Sequence, residues 1–235
     1  MLILFDIDAT LLVTSRSGLR AMQDAGVELH GPGFQTEGVD FAGRLDPLIV
    51  RDLLARVGVE PTQAAMAAFR ARYRERLALR LGVPGVARAL PGVLDLLDRL
   101  ALVPSVTLGL LTGNYAETGR LKLEASGIDP SRFSVCAWGD ESPQEPPDRE
   151  HLPPVAISRF RSLRGRAPHA VTIVGDTPHD VRCARANACR CLGVATGLHD
   201  AGTLARAGAD LVLANLADVS RVVSFLTARE PTGAD

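Results

Sequence analysis

Leu2-Ile3-Leu4-Phe5-Asp6-Ile7-Asp8 opens the chain, and a stretch built the same way, Val171-Thr172-Ile173-Val174-Gly175-Asp176-Thr177-Pro178-His179-Asp180, returns in its last third. A short apolar run that ends in acids reads as a buried parallel strand, with its polar residues at the carboxyl edge, where open α/β sheets bind ligands. Between the two lies Val106-Thr107-Leu108-Gly109-Leu110-Leu111-Thr112, an apolar run that ends in a hydroxyl. Around them strands alternate with helical stretches: a helix from about Gly92, a helix over Tyr115–Ser126, a strand over Phe133–Ala137, and a polar, proline-rich loop over Gly139–Pro147. A helix from Leu152, the strand Ala170–Gly175, a helix over Pro178–Asn187 and a strand over Arg190–Ala195 follow. A short strand at Asp210–Leu213, a final helix and disorder from Glu230 complete the reading. Such alternation predicts an α/β fold with a doubly wound parallel sheet.

The acids predict a chemistry. Side chains at i and i+2 of a strand share a direction, so Asp6 and Asp8 address one point in space. A carboxylate that attacks a phosphate monoester meets like charge, so a hard cation such as Mg²⁺ is needed to bridge the two. Asp6 is the expected nucleophile and would form an aspartyl-phosphate. Asp8 is the expected general acid and then base, and Asp176 and Asp180 complete an expected metal site with Asp6 and Asp8. An Asp-x-Asp alone is common in turns, and Gly-Asp-Thr-Pro alone also describes a helix start. Two such motifs in this order, each directly after an apolar strand, are far more specific.

Composition narrows the alternatives. With 235 residues, 46% of them hydrophobic, and a formal net charge of −1, the chain can bury one core plus a small accessory domain. Near-neutrality argues against a nucleic-acid or anionic-membrane surface, and no apolar run approaches the roughly 20 residues that span a bilayer. Leu2–Phe5 reads as a strand and not as the core of an export signal. Cys136, Cys183, Cys189 and Cys191 lack metal-ligand spacing and read as buried apolar fillers in a reducing cytoplasm. Of five histidines only His179 falls inside a motif, where it could touch the site.

Taken together, these motifs resemble those of the haloacid dehalogenase superfamily, in its phosphoglycolate-phosphatase-like group, from Leu2 to about Ala217. The family usually carries glycine where this chain has Ala9. The resemblance implies that Thr112, Gly113 and Asn114 bind the transferring phosphoryl group. It also implies a cation opening the helix before the last catalytic strand, and Arg149 is expected there; Lys122, in the middle of the helical stretch Tyr115–Ser126, is the alternative. It implies further that the helical stretch after strand 1 is a small α-helical cap inserted into a Rossmann-like core, so that residues 14–86 form the cap and residues 1–13 and 87–235 the catalytic core. In the cap, Phe69, Tyr73 and Leu77 recur at helical spacing with arginines between them, read as a core stripe beside a solvated face. Arg44, in Phe41-Ala42-Gly43-Arg44-Leu45-Asp46-Pro47, is expected either to pair with a substrate oxygen or to tie down Asp46.

The implied activity is a Mg²⁺-dependent phosphatase acting on a small phosphorylated metabolite. A phosphomutase shares every core motif and differs only in the cap, so it stays open. A non-catalytic descendant of the fold is disfavoured by the intact acids, and a dehalogenase by Asp8, which that chemistry does not need.

Overall fold

The computed structural model describes residues 1–228; the tail expected from Glu230 lies outside the described residues. Six strands form one parallel sheet in the order β5-β4-β1-β6-β7-β8. They are β1 (Leu2–Phe5), β4 (Thr107–Leu111), β5 (Val135–Ala137), β6 (Val171–Gly175), β7 (Arg190–Val194) and β8 (Leu211–Leu213). Two short strands, β2 (Leu12–Val13) and β3 (Arg88–Ala89), pair antiparallel beside it.

Burial on both faces explains the near-continuous apolar strands. Ile3 and Phe5 of β1 pack on one side with α4 (Val93–Ala101), α5 (Ala116–Ala125) and α9 (Val219–Thr227). Leu2 and Leu4 pack on the other with α6 (Leu152–Arg164), α7 (Pro178–Ala186) and α8 (Ala201–Ala207). The doubly wound α/β sheet is therefore present.

Register sets the site. Phe5 is level with Leu110 on one neighbour and Val174 on the other. The residues just past those strands, Asp6, Thr112 and Asp176, thus leave the sheet at the same carboxyl edge.

Three helices, α1 (Ser17–His30), α2 (Asp46–Arg56) and α3 (Gln63–Leu81), form a separate core. The chain leaves for them after β2 and returns at β3, with Leu12 paired to Ala89. Phe69, Tyr73 and Leu77 of α3 are buried against Ala21, Met22 and Ala25 of α1, as the spacing predicts. The arginines between them do not form a free solvated face. Arg72 and Arg76 bind Glu28 at 3.1 and 2.6 Å, and Arg80 binds Asp24 at 2.5 Å. Arg70 bridges Glu117 of α5 and Asp140, stacked over the Tyr115 ring. The partners come from other elements, which is why the helix's own periodicity gave no sign of them.

Among the described residues no helix is long and apolar enough to cross a membrane. All four cysteines are free thiols; Cys183 and Cys191 are buried, whereas Cys136 and Cys189 are only half-buried.

Leu4 is fully buried at the centre of the sheet. Leu4→Ala is expected to cost about 2–5 kcal/mol and to lower Tm by roughly 5–15 °C. Thermal unfolding followed by circular dichroism checks this, and an unchanged Tm would refute the central placement of β1.

Candidate active site

Asp6, the first residue beyond β1, is only 5% exposed. Its Oδ1 lies 2.9 Å from the Nη2 of Arg149, a residue that starts a single 3₁₀ turn ahead of α6. The same Nη2 is 2.6 Å from Asp180 Oδ1 and also donates to the Leu111 carbonyl, while Nη1 donates to the Gly43 carbonyl. Arg149 thus lies within hydrogen-bond reach of the Asp6 carboxylate. Asp180 has a local role as well: its Oδ2 accepts from the Thr177 amide and hydroxyl in the capping box that begins α7. Asp176, just past β6, accepts from the Thr10 hydroxyl at 3.1 Å.

One carboxylate oxygen from each of Asp6, Asp176 and Asp180 lies within 4.8 Å of the others, a grouping able to hold a metal ion. The carboxylate of Asp8, expected among the ligands, is not in that group. Its Oδ2 takes hydrogen bonds from Lys122 Nζ at 2.6 Å and Asn114 Nδ2 at 2.9 Å. Lys122 also donates to Asn114 Oδ1 at 2.6 Å. Arg149 and Lys122, weighed as alternatives for one position, both stand at the site on different acids. Lys122 looks one element too early in the sequence, but from α5 its buried side chain reaches Asp8.

Burial dominates the electrostatics. It raises Asp6 to about 6, with the Arg149 charge pulling down and Asp180 and Asp8 pushing up. Asp176 is raised to about 8, by burial first and then by the charges of Asp180 and Asp6. For Lys122 burial acts downward, yet Asp8 and Asp46 hold it above its ordinary value. Protonated acids in the absence of a cation signal a cluster with too little positive charge beside it.

Thr112 is fully buried and accepts from the Asn114 side chain at 2.8 Å. It does not cap α5. That role falls to Asp46, whose Oδ2 accepts from the Tyr115 amide at 3.1 Å while its own amide donates to the Gly113 carbonyl at 2.7 Å. Gly113 lies so close to the Arg44 carbonyl that a Cβ would overlap it. The Arg44 guanidinium, expected at a substrate oxygen or at Asp46, is instead bound to Asp52 at 2.7 Å and to the Asp40 carbonyl. His179 sits against Gly43 and accepts from Arg182 at 2.7 Å. Ala9 has φ 56°, the left-handed conformation that favours glycine, at a cost of roughly 1–2 kcal/mol.

Asp6, Asp8, Asp46, Thr112, Lys122, Arg149 and Asp176 line a cavity of about 490 Å³ between the sheet edge and the helical segment. Sequence reading missed Asp46 and the closeness of Lys122. One signal for the latter was present, since Lys122 is the only lysine in the chain.

Residues 3–194, most of the chain, match the family model described as haloacid dehalogenase-like hydrolase. The chain belongs to that family. This hydrolase is 31% identical over 228 residues to a phosphoglycolate phosphatase of Synechococcus elongatus, covering 95% of this chain and 97% of the relative. It is 30% identical to phosphoglycolate phosphatase 1 of Pseudomonas aeruginosa, covering 93% and 78%. Its fold is similar to that of a hydrolase from Pseudomonas syringae, at TM-score 0.69 and 20% identity, covering 97% of this chain and all of that one.

Carboxyls raised in the folded hydrolase above their unfolded value of about 4 keep protons that the unfolded chain has lost. The stability they contribute is complete below that value and is lost as pH rises through about 6, 7 and 8 for Asp6, Asp46 and Asp176. In metal-free buffer Tm is therefore expected to fall between about pH 5.5 and about pH 8, and Mg²⁺ to add more stability at the higher pH. Calorimetry at the two pH values, with EDTA or Mg²⁺, checks this; a metal-free Tm that rises over the window would contradict it.

Proposed function

We propose that this hydrolase of phosphoric monoesters is a Mg²⁺-dependent phosphatase that works through an aspartyl-phosphate on Asp6, with 2-phosphoglycolate as its substrate. One observation carries the reading: a buried Asp6 held by Arg149, beside Asp176 and Asp180, opens into the same cavity as Asp8. The substrate rests on the relatives, which are phosphoglycolate phosphatases over nearly the whole chain.

The donor set fits the metal. Asp6, Asp176 and Asp180 offer hard oxygens, and the raised pKa values of Asp6 and Asp176 are those of acids that a cation would relieve. Bound there, Mg²⁺ would neutralise charge on the phosphoryl group and on its nucleophile.

The chain's own groups account for the rest. Arg149 occupies Asp6 Oδ1, which leaves Oδ2 for in-line attack on phosphorus. As the Oδ2–P bond forms and the ester P–O bond breaks, Asp8 donates a proton to the departing oxygen. Water, losing a proton to Asp8, then attacks phosphorus; the P–Oδ2 bond breaks and inorganic phosphate leaves. Lys122 and Asn114 orient Asp8 for both steps. The Thr112 hydroxyl and the amides of Gly113 and Asn114 bind the phosphoryl oxygens. Residues 14–86 act as a cap over the reacting groups and exclude water.

Purified protein is expected to release phosphate from an aryl phosphate and from 2-phosphoglycolate only with Mg²⁺. Asp6→Asn should reduce kcat at least ~10³-fold, and Asp8→Asn by roughly 10²–10⁴-fold. A phosphate-release assay on variants with native circular dichroism checks this, and substantial turnover by Asp6→Asn would sink the mechanism.

A further inference from the structure

The cavity is lined by four cationic side chains, Arg16, Arg44, Lys122 and Arg149. Three are already matched by carboxylates: Arg44 by Asp52, Lys122 by Asp8, and Arg149 by Asp6 and Asp180. Arg16 is exposed, and among the described residues it forms no ion pair or side-chain hydrogen bond. It is also held in an unusual backbone. Ser15 and Arg16 have φ 50° and 63°, two successive non-glycine residues in the left-handed region, each disfavoured by roughly 1–2 kcal/mol.

Arg16 is the N-cap of α1, where it makes no side-chain capping bond, and no acid occupies the first turn. Gly18, in that turn, stands beside the buried ammonium of Lys122: a Cβ built on it would lie 3.5 Å from Nζ. A Cβ there would touch the ammonium at ordinary contact distance, and its absence leaves this corner open. Lys122 donates to Asp8 and Asn114, which leaves one of its three N–H groups for another acceptor. An unmatched guanidinium, an uncapped helix start and a spare ammonium N–H thus line the same cavity as Asp8, where the leaving-group end of a substrate would lie. Leu19, Met22, Phe41, Ile49 and Tyr73, which also line the cavity, are largely apolar and carry no charge.

We propose that Arg16 and Lys122 form a carboxylate subsite that receives the acid group of a short phosphorylated hydroxy acid. The proposal rests on the phosphatase reading above and deepens it: the charge that distinguishes such a substrate from a neutral alkyl phosphate is read at this corner. A guanidinium suits a planar carboxylate because it can donate two parallel hydrogen bonds.

Arg16→Gly tests it, because glycine accepts the left-handed conformation and removes only the charge and its stem. The readout is the ratio of kcat/KM for 2-phosphoglycolate to that for ethyl phosphate, its neutral-ended isostere, measured with Mg²⁺. Wild type is expected to prefer the acid, and Arg16→Gly to lower that ratio about tenfold or more at an undiminished Tm, with Arg16→Lys retaining most of it. A ratio unchanged in Arg16→Gly, or equal losses on both esters, overturns the subsite. If wild type hydrolyses neither ester, the phosphatase reading falls, and the subsite is then judged by calorimetric binding of 3-phosphonopropionate against propylphosphonate. Preference for the acid that disappears in Arg16→Gly supports the subsite, and no preference in wild type overturns it.

Discussion

A guanidinium at 4% exposure sits between two carboxylates, one just past the end of β1 and the other in the first turn of α7. Removing a charge of this kind from water costs several kcal/mol unless it is paired and fully hydrogen-bonded. Arg149 is paired through its two terminal nitrogens with Asp6 beyond β1, Asp180 in α7, the Leu111 carbonyl ending β4, and the Gly43 carbonyl from the helical segment, while its buried Nε has no hydrogen-bond partner among the described residues. Four separate stretches of chain must arrive together before its burial is tolerable. The carboxyl edge of the sheet is organised by that requirement: displacing any one partner leaves charge uncompensated in a site where burial already raises Asp6 and Asp176.

The second cation follows a different logic. Lys122 serves Asp8 and Asn114 and leaves Asp6 to Arg149, so each acid of the Asp-x-Asp pair has its own positive partner. In a chain that otherwise uses only arginine, the lone lysine occupies a gap bounded by Gly18 and the Tyr73 hydroxyl. A compact ammonium fits such a gap where a planar, forked guanidinium would not. Arg149, by contrast, meets Asp6 and Asp180 with one terminal nitrogen and the Gly43 carbonyl with the other, which suits a flat, forked donor.

The helical segment is tied to the catalytic edge at several points. Asp46 caps α5 from outside the sheet domain, the Gly43 carbonyl accepts from Arg149, and Arg70 reaches Glu117 and Asp140. Gly113 is pressed between the Arg44 carbonyl and Gly139, so the loop proposed to grip phosphate is fixed by backbone packing from both sides. Loop geometry set in this way needs no reorganisation when charge develops, the general condition for electrostatic catalysis.

The order of strands and helices, the three motif strands and the acids at their ends were legible in the sequence, because burial on both faces forces apolar runs and polar residues can emerge only where those runs stop. Asp6, Thr112, Asp176 and Asp180 could therefore be picked out by position, whereas Arg149 was expected only from the family resemblance. Other features depend on residues distant in the chain. Lys122 was weighed only as an alternative to Arg149, and its pairing with Asp8 was hidden because the two lie on different elements; Asp46 was missed because its partner, the Tyr115 amide, lies on another element. The pairing of Arg44 with Asp52, and of the α3 arginines with α1 and α5, was equally out of reach. By itself the sequence determined the sheet, its polar edge and the chemical character of the acids, all of which follow from local pattern and burial. Only the tertiary structure decided which cation meets which acid and which cavity arginine stays unpaired, because ion pairing depends on distances across the fold that no local pattern encodes.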